Sequence, residues 1–170
     1  MKSPAADARI LIIGYGNTLR GDDGVGPVAA ERLGELLPER LVNVIAAHQL
    51  LPEHTEPLSR VDLAIFIDAC CDLPPGELSC KTIEPRTDVS GSMTHHLDPP
   101  TLLALSHRLF GHLPRAYLIT VGGKSFGLEP QLSPVMQACL GRVIDQVNQL
   151  IRDYNPTDCA SSRPGEAADA

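Results

Sequence analysis

The sequence predicts an α/β fold: a three-layer α/β/α sandwich on a roughly five-stranded, mostly parallel sheet with one antiparallel edge strand. Three observations carry this. The apolar runs 10–13 (Ile-Leu-Ile-Ile) and 63–67 (Leu-Ala-Ile-Phe-Ile) are unbroken rather than alternating, as expected of parallel strands covered on both faces. Segments with helical spacing alternate with the strands, in the order β, α, β, α, β, β, α, β, α, which is the pattern of a doubly wound sheet. A single candidate strand, 78–84, has mixed polarity, which suits a sheet edge.

Each element has its own local reason. After the first strand, Gly14 and Gly16 open a turn whose backbone angles residues with a Cβ avoid. Val25, Val28, Ala29, Ala30, Leu33, Leu36 and Leu37 then recur at helical spacing, with Pro27 in the first turn and Pro38 as the stop. Residues 41–47 form a second strand, and 49–60 a short helix whose regularity Pro52 and Pro57 limit. The third strand ends in Asp68. A turn over 71–77 leads to the edge strand, and 85–97 is a polar loop rich in Ser, Thr, Gly and His.

Asp98 is an N-cap with Pro99 at the first helical position, Leu102, Leu103, Leu105, Leu109 and Phe110 form the buried side of that helix, and Gly111 is its stop. Residues 116–121 form another buried strand. Ser133 and Pro134 open a long final helix through Arg152, with Val135, Leu140, Val143, Ile144, Val147 and Ile151 on its apolar stripe. Residues 1–153 therefore read as one domain, and 154–170, small and polar without periodicity, as a disordered tail.

Composition narrows the function. At 170 residues, 43% hydrophobic and 21% charged, the chain is long enough to bury a real core. A net charge of −7 without a basic cluster argues against a nucleic-acid or anionic-membrane partner. No apolar run approaches a bilayer span, and the residues before the first strand lack a signal peptide's apolar region, so the expected location is cytoplasmic. Cys70, Cys71, Cys80, Cys139 and Cys159 are an odd set without a Cys-x-x-Cys pair and read as mostly buried thiols.

The segment 10–26, Ile-Leu-Ile-Ile-Gly-Tyr-Gly-Asn-Thr-Leu-Arg-Gly-Asp-Asp-Gly-Val-Gly, is strand, glycine-rich turn and helix entry. A dinucleotide fingerprint would need glycine where Leu19 stands and an acid after the second strand, which ends Val-Ile-Ala-Ala-His at 44–48. Asp22 and Asp23 would also repel a pyrophosphate at the helix entry. Either aspartate alone is best read as the N-cap of the following helix, which leaves the other free. The segment closely resembles the opening of the hydrogenase maturation proteases, endopeptidases that trim the carboxyl-terminal extension from the large subunit of nickel-iron hydrogenases.

In the predicted fold Asp23 follows the first strand, Asp68 ends the third, and His95 lies in the polar loop. Two carboxylates and an imidazole at one sheet edge make a partial shell for a divalent metal. On the residues alone, a helix cap for Asp23, loop-amide binding for Asp68 and a polar surface role for His95 stand beside that reading. The resemblance favours the metal site, because the family's three metal positions fall on Asp23, Asp68 and His95, the last in Ser-Met-Thr-His-His-Leu at 92–97. Motif register favours His95 over His96, whose side chain points elsewhere.

Two other motifs fail on context. Gly-Lys-Ser-Phe-Gly at 123–127 matches a nucleophile elbow, but the last histidine is His112, before the serine, and no helix follows. The same Gly-Lys-Ser lacks a P-loop's earlier glycine, since position 118 is Leu.

The resemblance runs over roughly residues 9–152 and includes Gly-Leu-Glu-Pro at 127–130 and Leu-Ser-Pro at 132–134. It implies a metal-dependent, aspartate-using endopeptidase. Its substrate is a nickel-iron hydrogenase large-subunit precursor, and the nickel is supplied by that precursor. One departure is Ala-Ala-His-Gln-Leu at 46–50, where many relatives carry an Asp-Gly-Gly-Thr-like element associated with substrate choice. The competing class is a non-catalytic, nickel-dependent precursor-binding chaperone using the same three ligands.

Overall fold

The computed structural model describes residues 9–87 and 97–154. The strands are β1 (Ile10–Tyr15), β2 (Val42–Ala47), β3 (Leu63–Cys70), β4 (Leu78–Ile83) and β5 (Arg115–Gly122). The helices are α1 (Val25–Leu36), α2 (Thr55–Leu58), α3 (Pro99–Phe110) and α4 (Pro134–Asp153). They form one sheet of order β2-β1-β3-β5-β4 in which only β4 runs antiparallel, at the edge. This is the predicted sandwich.

Strand alternation divides the core in two. On β3, Ile65, Ile67 and Ala69 join α1 and α4 residues such as Val25, Leu33, Met136 and Val143. Ala64 and Phe66 turn the other way, against Leu58 of α2 and Leu102 and Leu103 of α3. Side chains of this size contribute roughly 1.5–3 kcal/mol each when fully buried, and Ile65, Phe66 and Ile67 are completely covered. The unbroken apolar run of β3 is thus a direct consequence of its position in the middle of the sheet.

Several expectations change. The helix over 49–60 shrinks to a 3-10 turn, Pro52–His54, and the single turn of α2, because prolines at 52 and 57 withhold two amide donors. In α3 the buried stripe stops at Ser106, one turn before Gly111 ends the helix at φ 73°, so Leu109 and Phe110 are exposed rather than buried. Among the described cysteines only Cys139 is buried, while Cys71 is exposed. Tyr154 packs on the first core and its hydroxyl donates to Asp62, so it belongs with the domain and not with the tail. Residues 155–170 lie outside the described residues. No helix among the described residues is long and apolar enough to cross a membrane.

The glycines of the opening turn act for two different reasons. Gly16 has φ 141°, an angle that excludes side chains. Gly14 has ordinary angles and is needed for space: a Cβ there would sit 1.9 Å from the carbonyl oxygen of Gly26 at the start of α1. That contact seats α1 against the end of β1. Gly14→Ala is therefore expected to lower stability by about 3 kcal/mol or more, as overpacking against backbone does, read as the shift in a denaturant unfolding midpoint.

Candidate active site at the carboxyl edge of the sheet

β2 lies on one side of β1 and β3 on the other, so the segments leaving β1 and β3 part at their carboxyl ends. Such a switch point is where open α/β sheets bind ligands. The segment after β1 makes a 3-10 turn, Gly21–Gly24, that carries Asp22 and Asp23, and Asp68 lies near the end of β3. Gly14 pairs with Ile67 and Asp68 with Thr120. Tyr15, Asp68 and Thr120 therefore form a row across three strands on the α3 side of the sheet, one step beyond the row Ile13, Phe66 and Leu118.

Neither aspartate caps α1, whose N-cap is Gly24 without a side-chain bond. Asp22 is fully buried and binds the β5–α4 loop instead. Its Oδ2 accepts from the Lys124 amide at 2.7 Å, the Ser125 amide at 3.1 Å and the Ser133 hydroxyl at 2.9 Å, and its Oδ1 from the Ser133 amide at 2.7 Å. Burial alone would raise its pKa, but these donors outweigh burial and hold the carboxyl below the ordinary carboxylate range. The backbones zip alongside: the Asp22 amide donates to Ser125 at 2.8 Å and the Gly21 amide to Glu129 at 2.7 Å. Gly-Lys-Ser at 123–125 is thus the seat of a buried carboxylate, which accounts for a motif that matched neither nucleophile nor phosphate loop.

Asp23 is half-buried, and its Oδ2 accepts from the Asn17 amide at 2.8 Å. Asp68 Oδ1 accepts from the Ala69 amide at 2.8 Å, and Tyr15 flanks it from the end of β1. Burial pushes the Asp68 carboxyl up to about 6; the Tyr15 and Ala69 donors pull against it, and the negative charge of Asp23 adds to the rise. Burial, with the adjoining charge of Asp68, holds the Tyr15 hydroxyl far above its usual range, so it stays a neutral donor. The charges of Asp98 and Asp23 also reach Tyr15. Asp98 caps α3 through the Thr101 amide at 2.9 Å and pairs with Arg86.

Asp23 and Asp68 follow the neighbouring strands β1 and β3, and the charge of Asp23 raises the Asp68 pKa. His95, and its rival His96, lie outside the described residues. Among the described residues no group of three or more His, Cys, Asp or Glu could hold a metal ion. The chemistry of the pair suits a cation: two oxygen donors of like charge, one desolvated, are relieved by a divalent cation. Tyr15 is the neighbour that motif reading passed over. The available signal was its parity, since the residue after Gly14 must flank the residue after Ile67 once the two strands pair.

Two measurements check this electrostatic picture. Asp22→Asn replaces an acceptor-only group with one carrying an NH2 amid four donors. A loss of about 3 kcal/mol is expected at neutral pH. The difference shrinks as pH falls through the depressed folded pKa of Asp22, where the wild type too loses its carboxylate. Asp68 has the opposite sign. Its folded pKa is raised from 3.8 to about 6, so the metal-free wild type gains stability as pH falls from above 6 to below 4. Asp68→Asn should accordingly be more stable than wild type at pH 7.5 by up to about 3 kcal/mol, roughly two pKa units, with no advantage below pH 4. Chemical denaturation of both variants across pH reads both effects.

A scan against protein-family models finds no match, and a search of curated proteins finds none either. Solved structures do match. The [NiFe] hydrogenase maturation protease HycI from Thermococcus kodakarensis KOD1 superposes with a TM-score of 0.69 at 25% identity, covering 86% of this chain and 94% of that one. The hydrogenase maturating endopeptidase HybD from E. coli gives a TM-score of 0.69 at 23% identity, over 85% of this chain and 93% of that one. The hydrogenase 2 maturation peptidase from Thaumarchaeota archaeon SCGC_AB-539-E09 gives 0.64 at 25% identity, over 86% and 99%. Over most of its length the chain is thus a structural match to hydrogenase maturation proteases, the family that its opening motif resembles.

Proposed function

We propose that this protein is an endopeptidase that removes the carboxyl-terminal extension of a nickel-iron hydrogenase large-subunit precursor after nickel insertion. The observation that carries the reading is the meeting of Asp23 and Asp68 at the β1/β3 switch point, within a fold shared with maturation proteases. Asp23, Asp68 and His95 are the residues assigned to grip the precursor's nickel and align the scissile bond beside it. Nickel held there would polarise the peptide carbonyl and acidify a bound water. One of the two aspartates would take the proton as that water attacks the carbonyl carbon, and would hand it to the nitrogen as the C–N bond breaks and the amine departs. The reaction is thus metal-dependent and aspartate-assisted, with the nickel arriving as part of the substrate.

The test is mass spectrometry of a large-subunit precursor incubated with this protein, with and without nickel loaded. Loss of a short carboxyl-terminal peptide only from the nickel-loaded sample is expected. Asp23→Ala, Asp68→Ala and His95→Ala should each slow cleavage at least about 100-fold, whereas His96→Ala should not. Binding without a mass change would replace the protease reading with a non-catalytic chaperone, and a normal cleavage rate in Asp68→Ala would remove the site assignment.

A further inference from the structure

The loops that carry the candidate site also hold leucine out to solvent. Leu128 is 89% exposed and Leu19 62%, and neither packs on either core. A parallel bridge between Arg20 and Glu129 sets the two stretches side by side, with one leucine immediately before the bridge on each. Hydrogen bonds fix both stretches. The Gly21 amide donates to the Glu129 carbonyl at 2.7 Å and the Asp22 amide to the Ser125 carbonyl at 2.8 Å, in addition to the four donors that Asp22 gathers. Leu19 is also tied to the site itself: its amide donates to Asn17 Oδ1 at 2.9 Å, and the Asn17 amide donates to Asp23 Oδ2 at 2.8 Å. A single exposed leucine is ordinary, but a pair held on a hydrogen-bonded frame is an apolar contact formed in advance of its partner. Charge marks the same rim. Arg20 and Lys124 are exposed, and among the described residues neither forms an ion pair, although the chain carries a net charge of −7.

We infer that this rim docks the carboxyl-terminal region of the hydrogenase precursor, with Leu19 and Leu128 covered by apolar side chains of that segment and Arg20 and Lys124 favouring acidic ones. This rests on the site reading proposed above. Continuity with the site selects the occupant. Leu19 lies four residues before Asp23, so a peptide whose scissile bond sits at Asp23 reaches Leu19 within at most about four extended residues. The rim therefore reads the residues flanking the cut, while the acids act at the cut itself.

The double variant Leu19→Ser with Leu128→Ser tests this on the full chain. Both side chains are exposed, so the unfolding midpoint should stay at the wild-type value. With nickel-loaded precursor, KM is expected to rise about tenfold or more while kcat stays close to wild type, because binding common to ground and transition states is removed. Leu109→Ser, 61% exposed near the end of α3, is the control and should change neither. An unchanged KM in the double variant overturns the inference, and so does an equal rise in Leu109→Ser. A second arm does not depend on cleavage. Methyl NMR of leucine-labelled wild type, titrated with nickel-free precursor, should shift the Leu19 and Leu128 signals and leave Leu109 in place; no shift at the pair overturns the docking. A wild-type dimer that the double variant converts to monomer would assign the rim to a second copy of this chain and overturn it as well. If wild type leaves every precursor intact yet the two methyl signals shift, the protease reading falls and the docking surface stands.

Discussion

The candidate site depends on one buried carboxylate. Asp22 gathers four donors from the β5–α4 loop, and in doing so ties the segment after β1 to the segment after β5. These segments are about a hundred residues apart in sequence, yet the buried acid holds them together. A desolvated charge is tolerable only when its hydrogen-bonding capacity is met, and here every donor comes from one short stretch, Lys124–Ser133. The loop is therefore locked in a single arrangement by the need to satisfy the acid. The next residue, Asp23, inherits its place from that lock. Adjacent aspartates thus take different tasks, one welding the scaffold and the other accepting from the Asn17 amide.

Much of the fold was legible in the sequence because its signals are local. Unbroken short apolar runs fit doubly covered strands, and Asp98, Pro99 and Gly111 marked α3 with capping chemistry that the structure reproduces, down to the left-handed Gly111. What was not legible depends on what lies opposite. Leu109 and Phe110 continue the apolar spacing of α3, yet periodicity records only which residues share a face and not how far along the helix that face is covered. Gly14 and Gly16 look alike in sequence, but one supplies an angle and the other a gap for the carbonyl of Gly26.

The site was legible to a similar depth. Two acids following separate strands could be read, but alternation of elements leaves strand order open, and it is the pairing of β1 with β3 that sets their carboxyl ends side by side. The role of Asp22 could not be read, because its partners lie in a loop with no pattern of its own and a local N-cap was the simpler expectation. Tyr15 was hidden differently. It sits between two glycines whose meaning is so strong that the residue between them reads as filler, and its place beside Asp68 emerges only when β1 and β3 are paired in register.

Asp68 shows why a purely structural reading of this edge is insufficient. An acid kept for stability has its charge compensated and its pKa lowered, as Asp22 does. Asp68 is desolvated, its pKa is raised, and the nearest charged acid makes matters worse. Tyr15 and Ala69 offset only part of that cost, and an asparagine would occupy the same place with less strain on the fold. An arrangement that is unfavourable in isolation becomes favourable once a positive charge enters the crevice, since the same two carboxylates that repel each other both attract a cation. The free energy held in the unrelieved pair would then be returned when a cation binds. It favours the cation-bound state of this sheet edge over the empty one.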